Sequence, residues 1–336
     1  MTAPAGFDVR DDASDRALRP KRLADFTGQT AVTRNLALAV AAALQRKEQL
    51  DHVLLSGPPG LGKTTLAHIM AAEMGAEIRE TAGPMLDKPG DLAGMLSSLK
   101  PGAVLFIDEI HSLKRVVEEY LYSAMEDYRI TIQLGDGAQA QTLTLNLPPF
   151  TLVGATTREG QLSAPFRSRF GIRERLDLYR PEELTTILRR SAGLLGVEAV
   201  DAGLAEIARR SRGTARHANN HLRRIRDLAQ VNHGNRISLG VAQEGLTLLG
   251  IDAAGLTELD RRILGCLTRA RRPVGLKTIA TTVGEEESTI EDVYEPFLIQ
   301  EGYLLKQPNG RVATGKGYAH LGLTPADEPG NQQRIF

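Results

Sequence analysis

Apolar and polar positions in the first half of this 336-residue chain alternate between short continuous runs and longer amphipathic stretches. Val53-Leu54-Leu55, Ala103-Val104-Leu105-Phe106-Ile107 and Phe150-Thr151-Leu152-Val153-Gly154-Ala155 are apolar runs bounded by glycine, proline or charge. Runs of that kind predict strands buried on both faces. A further strand is expected at about 77–81. Helical spacing fills the gaps: an Ala/Leu helix over about 30–46, another from Leu66 to Ala72, and one near 90–99. Strands alternating with helices predict a parallel sheet flanked by helices.

Segment 130–147 breaks that rhythm. Ile130-Thr131-Ile132-Gln133-Leu134 and Leu143-Thr144-Leu145-Asn146-Leu147 alternate with period two around Gly135-Asp136-Gly137. This predicts a β-hairpin projecting from the α/β domain. From 181 onward the pattern is helical, with Pro181-Glu182-Glu183 opening one helix and others at about 202–210 and 216–231. Gly250–Gly255 marks a boundary. The last unit reads as three helices followed by a β-wing, Tyr303 to Lys306 and Arg311 to Ala313 around a Pro308-Asn309-Gly310 turn. Ile263, Leu264, Leu267, Ile279, Val283, Ile290, Val293 and Leu298 are its expected core. The fold class is therefore α/β: a P-loop parallel-sheet domain over 16–180 with its hairpin, a small helical lid over 181–252, and a winged helix over 256–323. Residues 1–15 and 324–336 read as loose tails.

Composition narrows the function classes. No apolar run approaches the length of a membrane span, and the acidic N-terminus is unlike a signal peptide. A single cysteine, Cys266, in an apolar context excludes an intrachain disulfide framework and suits the cytoplasm. Lys plus Arg and Asp plus Glu balance at 41 each, so bulk charge does not favour nucleic acid, although arginines crowd 209–226 and 261–272. Without Trp, a stacking platform for single strands is not expected.

The chemistry starts at Gly57-Pro58-Pro59-Gly60-Leu61-Gly62-Lys63-Thr64, between a strand and a helix. Glycines there let several N–H groups face one anion, the helix N-terminus adds partial positive charge, Lys63 reaches the β- and γ-phosphates, and Thr64 can ligate Mg²⁺. Asp108-Glu109 follow the next core strand, where Asp holds the metal and Glu orients the attacking water. Thr156 and Thr157 end a third strand and are either γ-phosphate or water contacts, or satisfied turn hydroxyls. Arg167 and Arg169 are either surface charges or an arginine finger reaching a neighbouring subunit. Arg216 opens a lid helix and could fold back on the nucleotide. Arg311 and Lys316 lie where a wing meets phosphates, or are merely solvated. His68, His111, His217 and His221 do not fall at metal-ligand spacing, so no structural zinc is expected.

Together these residues resemble the AAA+ ATPases, and within them the RuvB family of Holliday-junction branch-migration motors. The resemblance covers about 16–322 and is carried by the 57–66 loop, Leu105 to His111, Met125-Glu126-Asp127-Tyr128, Leu147 to Arg158 and Arg167-Ser168-Arg169-Phe170-Gly171. The phosphate-loop motifs specify only the superfamily. The hairpin with its Pro-Pro-Phe exit and the winged-helix end are specific to the family.

The resemblance implies ATP with Mg²⁺ as ligands. Leu18 and Arg19 would line the adenine side, Gly60, Lys63 and Thr65 would hold phosphates, and Thr64 would sit on Mg²⁺. Asp108 and Glu109 match Walker B, Thr156 sensor 1, Arg169 the trans-acting finger, and Arg216 sensor 2. Tyr179 and Glu126-Asp127-Tyr128 match further nucleotide contacts. The hairpin 130–147 would dock on RuvA through Leu143 and Leu145, with RuvC joining in the resolvasome. Arg311 and Lys316 would touch the backbone of duplex DNA, and the trans finger implies a homo-hexameric ring. The family often has Arg where Asn309 and Lys316 stand; Lys keeps the charge and loses the bidentate fork. A clamp-loader or initiator-type AAA+ switch shares the core motifs, but lacks the hairpin before sensor 1.

Overall fold

The structure, a computed structural model, describes residues 17–134 and 141–324. The expected tails over 1–15 and after Thr324, and the hairpin turn at Gly135–Gly137, lie outside the described residues.

The described residues of the first domain form seven strands: β1 (Val53–Ser56), β2 (Ile78–Ala82), β3 (Val104–Asp108), β4 (Arg129–Leu134), β5 (Gln141–Asn146), β6 (Thr151–Thr156) and β7 (Ile172–Arg175). Five of them make one parallel sheet in the order β2-β3-β6-β1-β7. The continuous apolar runs occupy the middle, because a strand covered on both faces exposes no side. Every residue of β6 is buried, as are Val53 to Ser56. The edge strand β7 alternates intermediate and exposed, a weak pattern that the apolar-run criterion passed over.

Register places the chemistry. Ser56 pairs with Thr156, and Ala82 with Asp108, so the polar C-terminal ends of β1, β3 and β6 lie side by side. In an open parallel sheet that edge is where ligands bind. The Arg115–Asp127 helix, which the apolar-run reading did not single out, follows β3 and ends at Tyr128, whose left-handed φ of 50° turns the chain into β4. β4 and β5 form the hairpin with Ile130 opposite Leu145 and Ile132 opposite Leu143.

The lid packs four helices, Pro181–Leu194, Asp201–Arg209, Ala215–Asn232 and an additional Leu239–Leu248, around Leu184, Leu188, Leu204, Leu222 and Leu246. The winged helix has its own core, with Ile263, Leu264, Leu267, Ile279, Val283, Ile290 and Leu298 all buried and Cys266 among them. Val293 does not join it and is 55% exposed. A π turn over Ile290–Tyr294 is the reason: the wider turn rotates the following face, so Glu295 is buried where helical spacing from Ile290 predicts Val293. The buried Asp260 ties this domain to the lid, taking hydrogen bonds from the Thr257 N–H (2.7 Å) and hydroxyl (2.6 Å) and pairing with Arg212.

Candidate nucleotide site and its surroundings

Gly57, Gly60 and Gly62 have φ of 132°, 79° and 100°, conformations open to glycine and strained for other residues. Space demands them as well. A Cβ on Gly57 would stand 2.4 Å from the Leu176 carbonyl oxygen, one on Gly60 2.9 Å from Arg216 Cβ, and one on Gly62 2.9 Å from the Phe26 ring. The loop is thus gripped between the sheet edge, the N-terminal segment and the lid. The Lys63–Glu73 helix begins directly after it. Lys63 Nζ donates to the Gly57 and Pro58 carbonyls at 2.7 and 2.9 Å. Burial holds this ammonium below the usual lysine range, against the pull of Asp108 and Glu109. An anion in the loop would relieve that penalty, because it supplies the opposite charge that the buried lysine lacks.

Beside the loop is a recess lined by Leu18, Arg19, Phe26, Leu61, Tyr179 and Ile187. Its apolar walls suit a flat heterocycle. Arg190 holds the N-terminal wall, donating to the carbonyls of Leu18 (2.9 Å) and Arg19 (3.3 Å). The Tyr179 hydroxyl donates to Leu61 O at 2.9 Å, and burial pushes its pKa above the usual phenol range, so it stays a neutral donor. Phe26, Ile187 and Arg190 are lining residues that sequence reasoning missed. Asp25-Phe26-Thr27 stood out only as the lead into a helix, and Ile187 and Arg190 sit on a lid helix whose period reports burial, not ligand contact.

Asp108 closes β3, and Glu109 follows with a left-handed φ of 47°. A non-glycine residue held there by its surroundings is a frequent mark of a functional site. Part of the constraint is visible. The Glu109 N–H donates to Asp108 Oδ1 at 2.9 Å, and Gly83 comes so near that a Cβ on it would stand 2.4 Å from the Glu109 carbonyl oxygen. Glu109 Oε2 is 3.1 Å from His111 Nδ1 and accepts from the Thr157 hydroxyl at 3.4 Å. Thr156 is buried; its hydroxyl meets His111 Nδ1 at 3.0 Å and accepts the Arg158 N–H at 2.9 Å. Of the two threonines, Thr157 therefore touches Glu109 directly, while Thr156 reaches it through His111. His111, set aside as a metal ligand, belongs to this cluster.

Arg169 caps the short Ala164–Ser168 helix. Its guanidinium lies over the Tyr122 ring at 4.4 Å, donates to the Tyr122 hydroxyl, and meets Glu126 Oε1 at 3.2 Å. Tyr128 packs edge-on against Phe150 at 5.9 Å, and Asp127 sits 3.7 Å from Arg129. Arg216 is exposed, its backbone N–H donating to Gly60 O at 3.3 Å, so the lid touches the phosphate loop.

Three family models match consecutive stretches: the Holliday junction DNA helicase RuvB P-loop domain over 18–176, the RuvB AAA lid domain over 179–252, and the RuvB C-terminal winged helix domain over 253–322. The chain belongs to the RuvB family. It is similar to the solved Thermotoga maritima RuvB Holliday junction branch migration motor, with 49% identity, a TM-score of 0.82 and coverage of 91% of this chain and 99% of that one. Two point mutants of the same Thermotoga RuvB also stand at 49% identity, with TM-scores of 0.83 and coverage of 91% of this chain. The fold expected from the sequence, a parallel-sheet P-loop domain followed by lid and winged helix, is the RuvB fold.

The residues that the RuvB resemblance assigns to partners are differently exposed. Leu143 on the hairpin is 42% exposed, whereas Leu145 packs partly against the core of the ATPase domain. In the wing, Arg311 is 8% exposed and gives Glu295 a fork, Nε to Oε1 at 2.5 Å and Nη2 to Oε2 at 3.0 Å. Nε and Nη2 are thus engaged by a carboxylate of the helix beneath the wing. Lys316 is half-exposed, over the Tyr303 ring at 4.3 Å and bonded to Glu301 O at 2.6 Å. Of the two, only Lys316 presents charge at the surface in this arrangement.

Proposed function

We infer that this chain is an ATP-driven motor that moves duplex DNA to branch-migrate Holliday junctions with RuvA, in homologous recombination and DNA repair. One observation carries the reading: the phosphate loop, the Asp108-Glu109 pair and the threonine ends of β6 share one sheet edge within a chain matched by RuvB models from 18 to 322. A clamp-loader-type switch would share that edge; the family match and the projecting β4–β5 hairpin favour the motor.

ATP would bind with its base in the recess by Tyr179 and its phosphates on the loop, where Lys63 exchanges two carbonyls for phosphate oxygens. Thr64 and Asp108, a hydroxyl and a carboxylate, suit a hard cation and would hold Mg²⁺. When bound, that ion neutralises charge on the phosphates. Glu109 orients the attacking water and takes its proton, with His111 and Thr157 fixing the carboxylate. Arg169, engaged on its own subunit by Tyr122 and Glu126, would act on the neighbouring subunit's γ-phosphoryl group. A finger of this kind raises turnover by roughly 10³ to 10⁵. Working in trans, it requires a ring, which we take to be a homo-hexamer. Loss of the γ-phosphate would release Arg216 and shift the lid. Because the winged helix is tied to the lid through Arg212–Asp260 and to the β6 end through Arg158–Asp292, it would move too. Its grip on DNA would run along phosphates, through Lys316 and, on rearrangement of its pair with Glu295, Arg311. RuvC would join the same assembly in the cytoplasm.

The test is branch migration of a synthetic four-way junction with RuvA and ATP. The wild type should convert it to duplexes. Glu109→Gln should bind ATP and leave the junction intact, and normal turnover by this variant would overturn the mechanism.

A further inference from the structure

The Arg169 guanidinium is held by side chains of its own subunit on three sides. Its Cζ lies over the Tyr122 ring, 4.4 Å from the centroid, and one Nη donates to the Tyr122 hydroxyl. The other Nη meets Glu126 Oε1 at 3.2 Å. Tyr122 and Glu126 lie one helical turn apart on the Arg115–Asp127 helix, so both reach the same side of it. Arg169 Nε is buried without an acceptor among the described residues. The side chain as a whole is 36% exposed, so its outer part still faces solvent.

This is an expensive way to treat a surface arginine. A free guanidinium on a long stem samples many rotamers, and stacking with a hydroxyl bond and an ion pair removes that freedom. A catalytic arginine gains from such restriction, because a displacement of about 1 Å in a charged group can cost about 10²-fold in rate. Resting on the trans-finger reading above, we propose that Tyr122, with Glu126, is a positioning residue for Arg169. The ring fixes the plane and height of the guanidinium before a neighbour's γ-phosphate arrives, and the carboxylate balances its charge until then. On engagement Glu126 gives way to phosphate oxygens while the ring stays in contact. The site served by Tyr122 is therefore the neighbour's, not its own.

Subunit mixing tests this. ATP turnover is measured with RuvA and junction DNA for Tyr122→Ala, for Glu109→Gln, and for their mixture, with Arg169→Ala as the reference partner. Tyr122→Ala alone should lose about 10- to 100-fold in kcat while its KM for ATP stays within about twofold. Tyr122→Phe keeps the stacking face and should lose no more than about threefold, which separates positioning from a folding defect. Mixed with Glu109→Gln, which carries an intact finger and clamp, Tyr122→Ala subunits should recover turnover, as Arg169→Ala subunits should. Wild-type kcat in Tyr122→Ala overturns the proposal. So does recovery with Arg169→Ala but not with Tyr122→Ala, which would mean that Tyr122 serves its own site. Recovery in neither mixture would remove the trans finger itself, and the proposal with it.

Discussion

His111 Nδ1 sits 3.1 Å from Glu109 Oε2 and 3.0 Å from the Thr156 hydroxyl, so a single nitrogen joins the carboxylate after β3 to the end of β6. A neutral ring carries one ring proton and can donate it to the carboxylate, holding Glu109 in place for the base role proposed for it. A doubly protonated ring would neutralise that carboxylate.

Burial holds the His111 pKa below the ordinary histidine value, against the raising pull of Glu109. A lowered pKa means the neutral ring persists to lower pH than a free histidine would allow. We therefore expect kcat to survive acidification through about pH 6.5 and to decline only below it. His111→Asn, whose amide can stand in for Nδ1, should move the acid limb to lower pH. His111→Ala should lose on the order of tenfold in kcat with ATP affinity retained. A pH–rate profile identical in all three proteins would show that the nitrogen does nothing for Glu109.

Gly83 offers a second handle on the same residue, through its backbone. A Cβ there would stand 2.4 Å from the Glu109 carbonyl oxygen and 3.3 Å from Leu113 N, so backbone must move to admit it. Gly83→Ala should displace the loop after β3 and lower kcat by about 10- to 100-fold, with the melting temperature within about 5 °C of wild type. Unchanged kcat would mean that the loop absorbs the methyl group elsewhere.

How much of this could be read without coordinates depends on range. The phosphate loop is legible because its chemistry is local: glycines, lysine and threonine in sequence between an apolar run and a helix. Asp108-Glu109 is legible because a strand end announces itself. Gly83 is not, because its demand comes from Glu109, 26 positions away in the chain. Tyr122 is likewise an ordinary helix residue until the fold brings Arg169 over it. Val293 fails for a different reason: a π turn changes the helical period midway, and a period-based reading assumes one value throughout. Arg311 reads as a free wing cation because nothing local reveals that Glu295 is buried beneath it.

Leu143 is a large apolar side chain left 42% exposed on the hairpin, while its neighbour Leu145 is drawn toward the core. A lone exposed leucine is ordinary on a protein surface, so its assignment to RuvA rests on the hairpin's resemblance to the family's docking element. Leu143→Asp should abolish binding to RuvA, measured by titration calorimetry, and leave ATP turnover without RuvA within about twofold of wild type, because it lies on the projecting hairpin away from the loop. Leu145→Asp should instead lower stability, by about 1–3 kcal/mol in urea unfolding, since its charge would be placed against the core. Equal RuvA binding by Leu143→Asp and wild type would remove the hairpin's assigned role.

The lid carries two part-buried histidines, His217 and His221, with ring centroids 6.2 Å apart beside Arg212 and Arg216. Burial first, and then the neighbouring positive groups, push His217 down to about 4 and His221 down to about 3. Their Nδ1 atoms meet the Thr214 hydroxyl at 2.7 Å and the Ser211 hydroxyl at 3.2 Å, bonds that suit neutral rings. In the unfolded chain both would take up protons near pH 6.5, whereas the folded lid resists protonation until pH 4 or below. The unfolded state thus binds more protons throughout that window, so stability is full above about pH 6.5 and falls with acidification. Between about pH 7 and pH 5.5 the pair should cost the protein about 1–2 kcal/mol, after allowance for partial solvent contact. Urea denaturation at the two pH values should show this loss in wild type and a smaller one in His221→Asn. An equal loss in both would place the acid sensitivity elsewhere in the chain.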